Sequence, residues 1–249
     1  MFKLALSDVD LLRNSIPIVA EIIDEGVFRV DQNGISLVSP DRAMVAVIDM
    51  KILSSAFDEY QCEGEELLGV NMVSFASVIK RVKSGDKIIL EKETGDNKFT
   101  VTIKGDGTRR FIVPLLDVKT EKPPIDKLAF TGRVEVESRL VEEGIADADI
   151  ISDAVLIEAN GTTFSIHARG DVSSTRMELK KSDKGLLDLK ADGNIRSQYP
   201  IEYLKKMIKA SKLSEQMVIE FGSNYPMRLG FKSIDKMSLS FILAPRVET

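Results

Sequence analysis

The sequence predicts an α+β protein made of two topologically similar domains, each with two helices packed on antiparallel sheet. Three observations predict it. First, Asp117–Phe130, near the middle of the 249-residue chain, has neither helical period nor strand alternation. Its Pro123-Pro124 pair lacks N–H donors and holds the backbone extended, so the stretch reads as a semi-rigid connector. Second, the same parts occur on either side of it in the same order: helix, strands, helix, three strands. Third, the Asn-Gly pairs of the two halves, Asn33-Gly34 and Asn160-Gly161, lie 127 residues apart (160 − 33). The boundaries that follow are 1–117, a connecting loop 118–131, and 132–249.

The totals agree with this division. Two domains of roughly 100–150 residues can each bury a core. With 43% hydrophobic and 29% charged residues, composition is that of an ordinary globular chain. No apolar run approaches the ~20 residues that would span a bilayer, so no membrane partner is expected. Asp8 comes too early for a signal peptide. Cys62 is the one cysteine, which excludes an internal disulfide and fits a reducing compartment. A cytoplasmic place is therefore expected. In that setting the Asn160-Gly-Thr162 glycosylation triplet goes unused.

Taken in order, Ser7-Asp-Val-Asp10 fits a capping box, followed by Leu12, Ile16, Val19, Ala20 and Ile23 at helical spacing. Pro17 inside this helix predicts a kink. Val27–Val30 and Ile35–Val38 flank Asn33-Gly34 as a hairpin, and Ala43–Asp49 continues as strand. Asn71 caps a second helix that buries Met72, Phe75, Ala76, Ile79 and Val82. Three strands close the half, Lys87–Glu93, Lys98–Lys104 and Thr108–Leu115, separated by turns at Gly95-Asp-Asn97 and Gly105-Asp-Gly107. After the connector a helix spans about Ser138–Ile150. Val155–Ala159 and Thr162–Ile166 rebuild the hairpin around Asn160-Gly161. A helix from Pro200, suited to a first helical turn, runs to about Lys212. Met217–Phe221, Met227–Lys232 and Lys236–Leu243 close the second half.

Helical spacing also sorts the charges. On the helix from Pro200, Ile201, Leu204 and Ile208 point inward with Tyr203 and Met207 beside them. Lys205, Lys206, Lys209 and Lys212 take the opposite face. Lys80, Arg81 and Lys83 take the solvent side of the C-terminal turns of the helix capped by Asn71, and the first helix offers Arg13. Lysines on one helix face are often only solvated, and cations in a last turn also suit the helix dipole. Two corresponding helices with basic outer faces, in a chain of net charge −5, point instead to a polyanion read without sequence preference. A phosphate backbone is the obvious counterpart. The helix Ser138–Ile150 breaks the pattern, with Glu142, Glu143, Asp147 and Asp149 against a single Arg139.

Catalytic chemistry is not in view. His167 is the only histidine and has no cysteine to join it in a zinc site. Gly105-Asp-Gly-Thr-Arg-Arg110 lacks the third glycine and the helix of a dinucleotide loop. Asp147-Ala-Asp149-Ile-Ile151 fails the calcium-loop pattern. Neither metal nor cofactor is expected. A small-molecule enzyme on a duplicated α+β fold is the rival reading, and it would need a deep polar cleft.

Several segments resemble the sliding clamps of the proliferating cell nuclear antigen type, in particular archaeal members. Gly69-Val-Asn-Met72 leading to Val78-Ile-Lys80 is similar to the family's second helix. Asn33-Gly-Ile-Ser-Leu37 with Asp41 resembles its first hairpin. Phe111-Ile-Val-Pro-Leu-Leu-Asp117 with the acidic, proline-containing stretch after it resembles the interdomain connecting loop. Leu243-Ala-Pro-Arg-Val-Glu248 looks like the C-terminal tail. The similarity covers essentially the whole chain, and the tail with the Gly-Val-Asn helix is specific in combination.

The resemblance implies a closed ring of three two-domain subunits around duplex DNA, without catalysis of its own. The DNA-facing residues would be Arg13, Lys80, Arg81, Lys83, Lys205, Lys206, Lys209 and Lys212. It implies a partner pocket at Pro40, Met44, Val45, Val47, Ile125, Leu128, Pro226, Ile242, Ala244, Pro245 and Arg246. There a clamp loader, DNA polymerase, flap endonuclease or DNA ligase would insert a short hydrophobic-aromatic motif. It implies ring closure between the edge strands Thr108–Pro114 and Ser174–Lys180. The residues concerned are Thr108, Arg109, Arg110, Phe111, Ile112 and Val113 on one side, and Ser174, Thr175, Arg176, Met177, Glu178 and Leu179 on the other. Ser39-Pro40 departs from the family's Ala-Met at the pocket rim. A homotrimer is the leading expectation, and one subunit of a heterotrimer is the alternative.

Overall fold

The computed structural model describes residues 1–118 and 123–246. Lys119–Lys122 of the expected connector and Val247-Glu248 of the expected tail lie outside the described residues. The chain forms two compact units. One comprises Met1–Arg42, Ile48–Pro123 and Ser233–Leu239; the other comprises Ala43–Val47, Pro124–Lys232 and Ser240–Thr249.

The first half runs β1 (Phe2–Leu6), α1 (Asp10–Arg13), α2 (Ile16–Val19), β2 (Glu25–Asp31), β3 (Gly34–Pro40), β4 (Ala46–Leu53), β5 (Glu59–Cys62) and β6 (Glu66–Asn71). It continues with α3 (Met72–Ile79), β7 (Lys87–Lys92), β8 (Lys98–Lys104) and β9 (Thr108–Pro114). One sheet has the order β5-β1-β7-β8-β9, and β4-β3-β2-β6 are neighbours in a second. Period-two alternation turns Ile48, Met50 and Ile52 of β4 inward, each almost fully buried. The ring of Phe75 on α3 meets Phe28 and Phe99 edge-on, with centroids 5.9 and 5.8 Å away. One aromatic side chain thus ties the helix to both sheets.

The second half repeats the scheme: β10 (Gly132–Glu137), α4 (Ser138–Ile151), β11 (Ala154–Ala159), β12 (Thr163–Arg169), β13 (Ser174–Lys180), β14 (Leu186–Ala191) and β15 (Ile195–Pro200). Then come α5 (Ile201–Met207), β16 (Gln216–Phe221), β17 (Met227–Ser233) and β18 (Met237–Leu243). Its sheets have the orders β13-β12-β11-β15 and β14-β10-β16-β17-β18. Helix α4 buries Val141, Gly144, Ile145 and Ala148. Gly144 is small for a reason: an added methyl would stand 3.1 Å from Met177 of β13 and 3.2 Å from Ile166 of β12.

Several local expectations change. Ser7 does not cap a helix; its Oγ donates to Asp58 Oδ2 at 2.6 Å, and Val9 precedes α1 without a side-chain cap. The single kinked helix is instead two four-residue helices, because the break falls at Asn14-Ser15 and lets Pro17 sit in the first turn of α2. The first hairpin closes at Asp31 opposite Gly34, so its loop is Gln32-Asn33. Gly34 (φ 142°) is needed because a side chain there would run into the carbonyl of Ile52. The second hairpin has the longer loop Asn160–Thr162, in which Asn160 Oδ1 accepts from Thr162 N and Thr163 N at 2.8 and 2.9 Å. Pro200 ends β15 and caps α5 rather than opening it, and after Met207 the helix tightens into a 3-10 turn to Leu213. Strands β1, β5, β6, β10, β14 and β15 add to those read from the sequence.

Candidate nucleic-acid, partner and subunit interfaces

The cations of the first half stand on or just after α3. Asn71 caps this helix as expected, its Oδ1 accepting from Ser74 N at 2.8 Å. Met72, Phe75, Ala76, Ile79 and Val82 are buried, which leaves Lys80, Arg81 and Lys83 exposed. None of these three has a side-chain ion pair among the described residues. Arg13 is half-buried and paired with Asp10 at 2.8 Å.

The second half holds its cations differently. Lys205 Nζ lies 2.7 Å from Asp149 Oδ2 on α4, and Lys206 pairs with Glu202 at 3.1 Å. Lys206 also lies over the Tyr203 ring, 5.4 Å from its centroid, and is half-buried rather than freely exposed. Glu142 accepts from Ser211 Oγ at 3.0 Å. Lys209 and Lys212 are exposed. Asp149 of α4 therefore compensates a lysine of its own unit, at a sequence separation that local patterns do not reveal, while Glu143 pairs with Arg139 within the helix.

Most of the expected pocket falls in one unit. Met44, Val45, Val47, Ile125, Leu128, Pro226, Ile242, Ala244, Pro245 and Arg246 belong to the second unit, and Pro40 to the first. Ala244 N donates to Val45 O at 2.9 Å, bringing the tail beside the turn that carries Met44. Met44 is 71% exposed at φ 57°, an apolar side chain held out by its backbone. Ile125 and Ile242 are buried and belong to the floor rather than the rim. Arg246 N donates to Gln198 O at 2.7 Å, and its guanidinium sits 2.7 Å from Asp153. That contact holds the exposed Asp153 carboxyl below the usual carboxylate range.

Thr108–Pro114 (β9) and Ser174–Lys180 (β13) are both edge strands, each bonded on one side only. Their burial alternates identically along seven residues, with Phe111 and Val113 on the covered face of one, Met177 and Leu179 on that of the other. Arg109 also turns to the helix side, donating to Arg81 O and Asp86 Oδ2, both at 2.9 Å. Arg110 and Ile112 face outward with no ion pair on Arg110 among the described residues; Arg176 and Glu178 face outward on β13 and pair with each other at 3.2 Å. No group of three or more potential metal-ligating side chains forms among the described residues. His167 sits half-buried on β12, opposite Arg176.

The family model for the N-terminal domain of proliferating cell nuclear antigen matches residues 1–121, and that for its C-terminal domain matches 125–246. The chain belongs to the proliferating cell nuclear antigen family. It is 34% identical over 248 residues to the DNA polymerase sliding clamp of Thermococcus fumicolans, covering 99% of both chains. It is 33% identical over 247 residues to that of Pyrococcus furiosus, again over 99% of each. A crystal structure of the antigen from Thermococcus kodakaraensis superposes with a TM-score of 0.92 at 28% identity, over 99% of this chain and 100% of that one.

Seen as a member of this family, the chain explains one motif that sequence reading only matched. Gly69 of the Gly-Val-Asn segment has no side chain because the entry to the connector lies against it. Leu116 N donates to Gly69 O at 2.8 Å, and an added methyl would come within 2.1 Å of the Leu116 carbonyl oxygen. Two pairings were missed, that of Asp149, named only as an acid of its helix, with Lys205, and that of Asp153 with Arg246. Their partners lie 56 and 93 residues away (205 − 149, 246 − 153), beyond any local spacing rule.

Proposed function

We propose that this chain is a DNA polymerase sliding clamp, a processivity factor whose copies close into a three-membered ring around duplex DNA. The observation that carries the reading is the full-length similarity of both halves to sliding clamps. Two features support it: exposed cations just after α3 suit a phosphate backbone, and each unit ends a sheet in an unpaired strand. Arg13, Lys80, Arg81, Lys83, Lys205, Lys206, Lys209 and Lys212 would line the channel, and β9 and β13 would close the ring. The chain divides at 117 and 132. Its place is the cytoplasm, at the nucleoid.

Encirclement asks little of individual contacts. A ring stays on its track by topology, so a few screened lysines suffice, and the acidic remainder of the surface discourages adhesion elsewhere. The clamp performs no reaction; it raises the local concentration of enzymes tethered to it. A clamp loader, DNA polymerase, flap endonuclease and DNA ligase would dock a short hydrophobic-aromatic motif against Met44, Ala244 and Pro245. Ala244→Arg would block that docking while the ring persists.

The test is loader-dependent primer extension on singly primed circular DNA, compared with the same template linearised. Stimulation on the closed circle that falls away on the linear form is the expected result, because a ring slides off a free end. Equal stimulation on both forms, or none on either, would overturn encirclement.

A further inference from the structure

We infer that Asp86 is a positioning residue for DNA: with Arg109 it grips the backbone of the turn after α3 and so holds out the Arg81 and Lys83 side chains. This rests on the DNA reading of that turn and deepens it, since it gives an acid a part in binding an anion. Helix α3 ends at Ile79, and β7 begins at Lys87. Bonds of the helical kind reach only to Val82, whose N donates to Ile79 O at 3.0 Å. Beyond it Gly85 turns the chain at φ 87°, and Asp86 N donates to Lys83 O at 3.1 Å.

The Asp86 side chain then closes the turn. Its Oδ2 accepts from Lys83 N and from the Arg109 guanidinium, both at 2.9 Å, and the other arm of Arg109 donates to Arg81 O at 2.9 Å. The clasp thus ends on an amide of Lys83 and a carbonyl of Arg81, and both side chains stay exposed. The carboxyl is buried and has a fixed seat, because a methyl on Gly105 would run into its Oδ1. Arg109 compensates its charge, so the buried acid presents little repulsion to a phosphate. Asp149 acts in the opposite way: it binds the Lys205 ammonium itself and uses up the cation. A turn ordered in advance loses less freedom when its cations meet their ligand.

Titration of the full chain with a short DNA duplex at several salt concentrations tests this, because charge and position pull in opposite directions. Asp86→Asn removes a negative charge and Arg109→Gln a positive one. Charge alone would make the first bind more tightly, the second more weakly, and the double variant like the original chain. Positioning predicts that each single variant binds about threefold more weakly at low salt, with the slope of log affinity against log salt lower by about 1. The double variant is expected to be no weaker than either, since both changes open one clasp. Tighter binding by Asp86→Asn, or effects that cancel in the double variant, would overturn the inference. Should circular dichroism show Asp86→Asn unfolded, Arg109→Lys carries the same test. It keeps the charge but cannot bridge Arg81 O and Asp86 together, so charge predicts no change and positioning a loss. Lys80→Gln, outside the clasp, separates the two failures. If it lowers the slope while the clasp variants do not, positioning falls alone; if none of them does, the DNA reading of this turn falls too.

Discussion

The helices α3 and α5 occupy the same position in the two halves, yet their cations are held differently. Lys80, Arg81 and Lys83 extend beyond a buried stripe with no side-chain ion pair among the described residues. Lys205 and Lys206 are each paired within their own unit. The difference begins one helix earlier. In the first half that helix is broken at Asn14-Ser15 into two short pieces and offers no continuous acidic face. In the second it runs unbroken for 14 residues and carries Asp149 to Lys205. A shared fold thus presents two electrostatic surfaces, one ready for phosphate and one already partly compensated.

The largest effect that would sharpen this contrast concerns stability rather than charge. Gly69→Ala forces a methyl against the Leu116 carbonyl and is expected to destabilise the first half by about 2–3 kcal/mol in chemical denaturation. Its counterpart Gln198→Ala, in a strand that already accepts a side chain, is expected to cost less than about 0.5 kcal/mol. Next come the cations themselves. Lys80→Gln should lower the slope of log affinity against log salt for short duplex DNA by about 1. Lys205→Gln should lower it by less than about half as much, because Asp149 already competes for that ammonium. Equal slopes for the two variants would break the comparison.

Asn71→Ala removes the only side-chain cap found on α3, α4 or α5 and is expected to cost about 1 kcal/mol, read from the same denaturation curves. A pH effect also belongs to the first half. Glu66 accepts from the buried Lys92 and pairs with the N-terminal ammonium, which holds its carboxyl below the ordinary range. A carboxyl depressed by folding contributes stability that is full above about pH 4–5 and is lost as pH falls through the lower folded value. Lys92→Met should flatten the melting temperature against pH in that acid window and leave neutral pH as the region of constant loss. Smallest of all, Asp149→Asn should free Lys205 and strengthen DNA affinity at low salt by about twofold.

What could be read in advance followed from how local each cause was. Asn71 capping and the buried stripe of α3 depend on residues within a few turns, and both hold. The hairpins were found, but their loops were not, since Gln32-Asn33 is fixed by the approach of Gly34 to Ile52. Strand β1 escaped because Leu4-Ala5-Leu6 is buried on successive residues and shows no alternation. Ser7 was assigned to a cap because its true acceptor, Asp58, is 51 residues away. The resemblance to clamps gave β9 and β13 as edge strands, which the sheet orders agree with; spacing alone could not, because an edge depends on pairing along the whole chain.

Each half finishes by folding its last residues back over a strand border: Leu116 bonds to Gly69 on β6, and Arg246 to Gln198 on β15. The chain thus hems its own sheets at β6 and β15 and leaves the border strands β5, β9, β13 and β14 unhemmed. Trimming the tail back to Leu243 would therefore do more than shorten the chain. It would bare one more row of amides and carbonyls, along β15, and an added open border is a template for pairing with other chains and for open-ended aggregation.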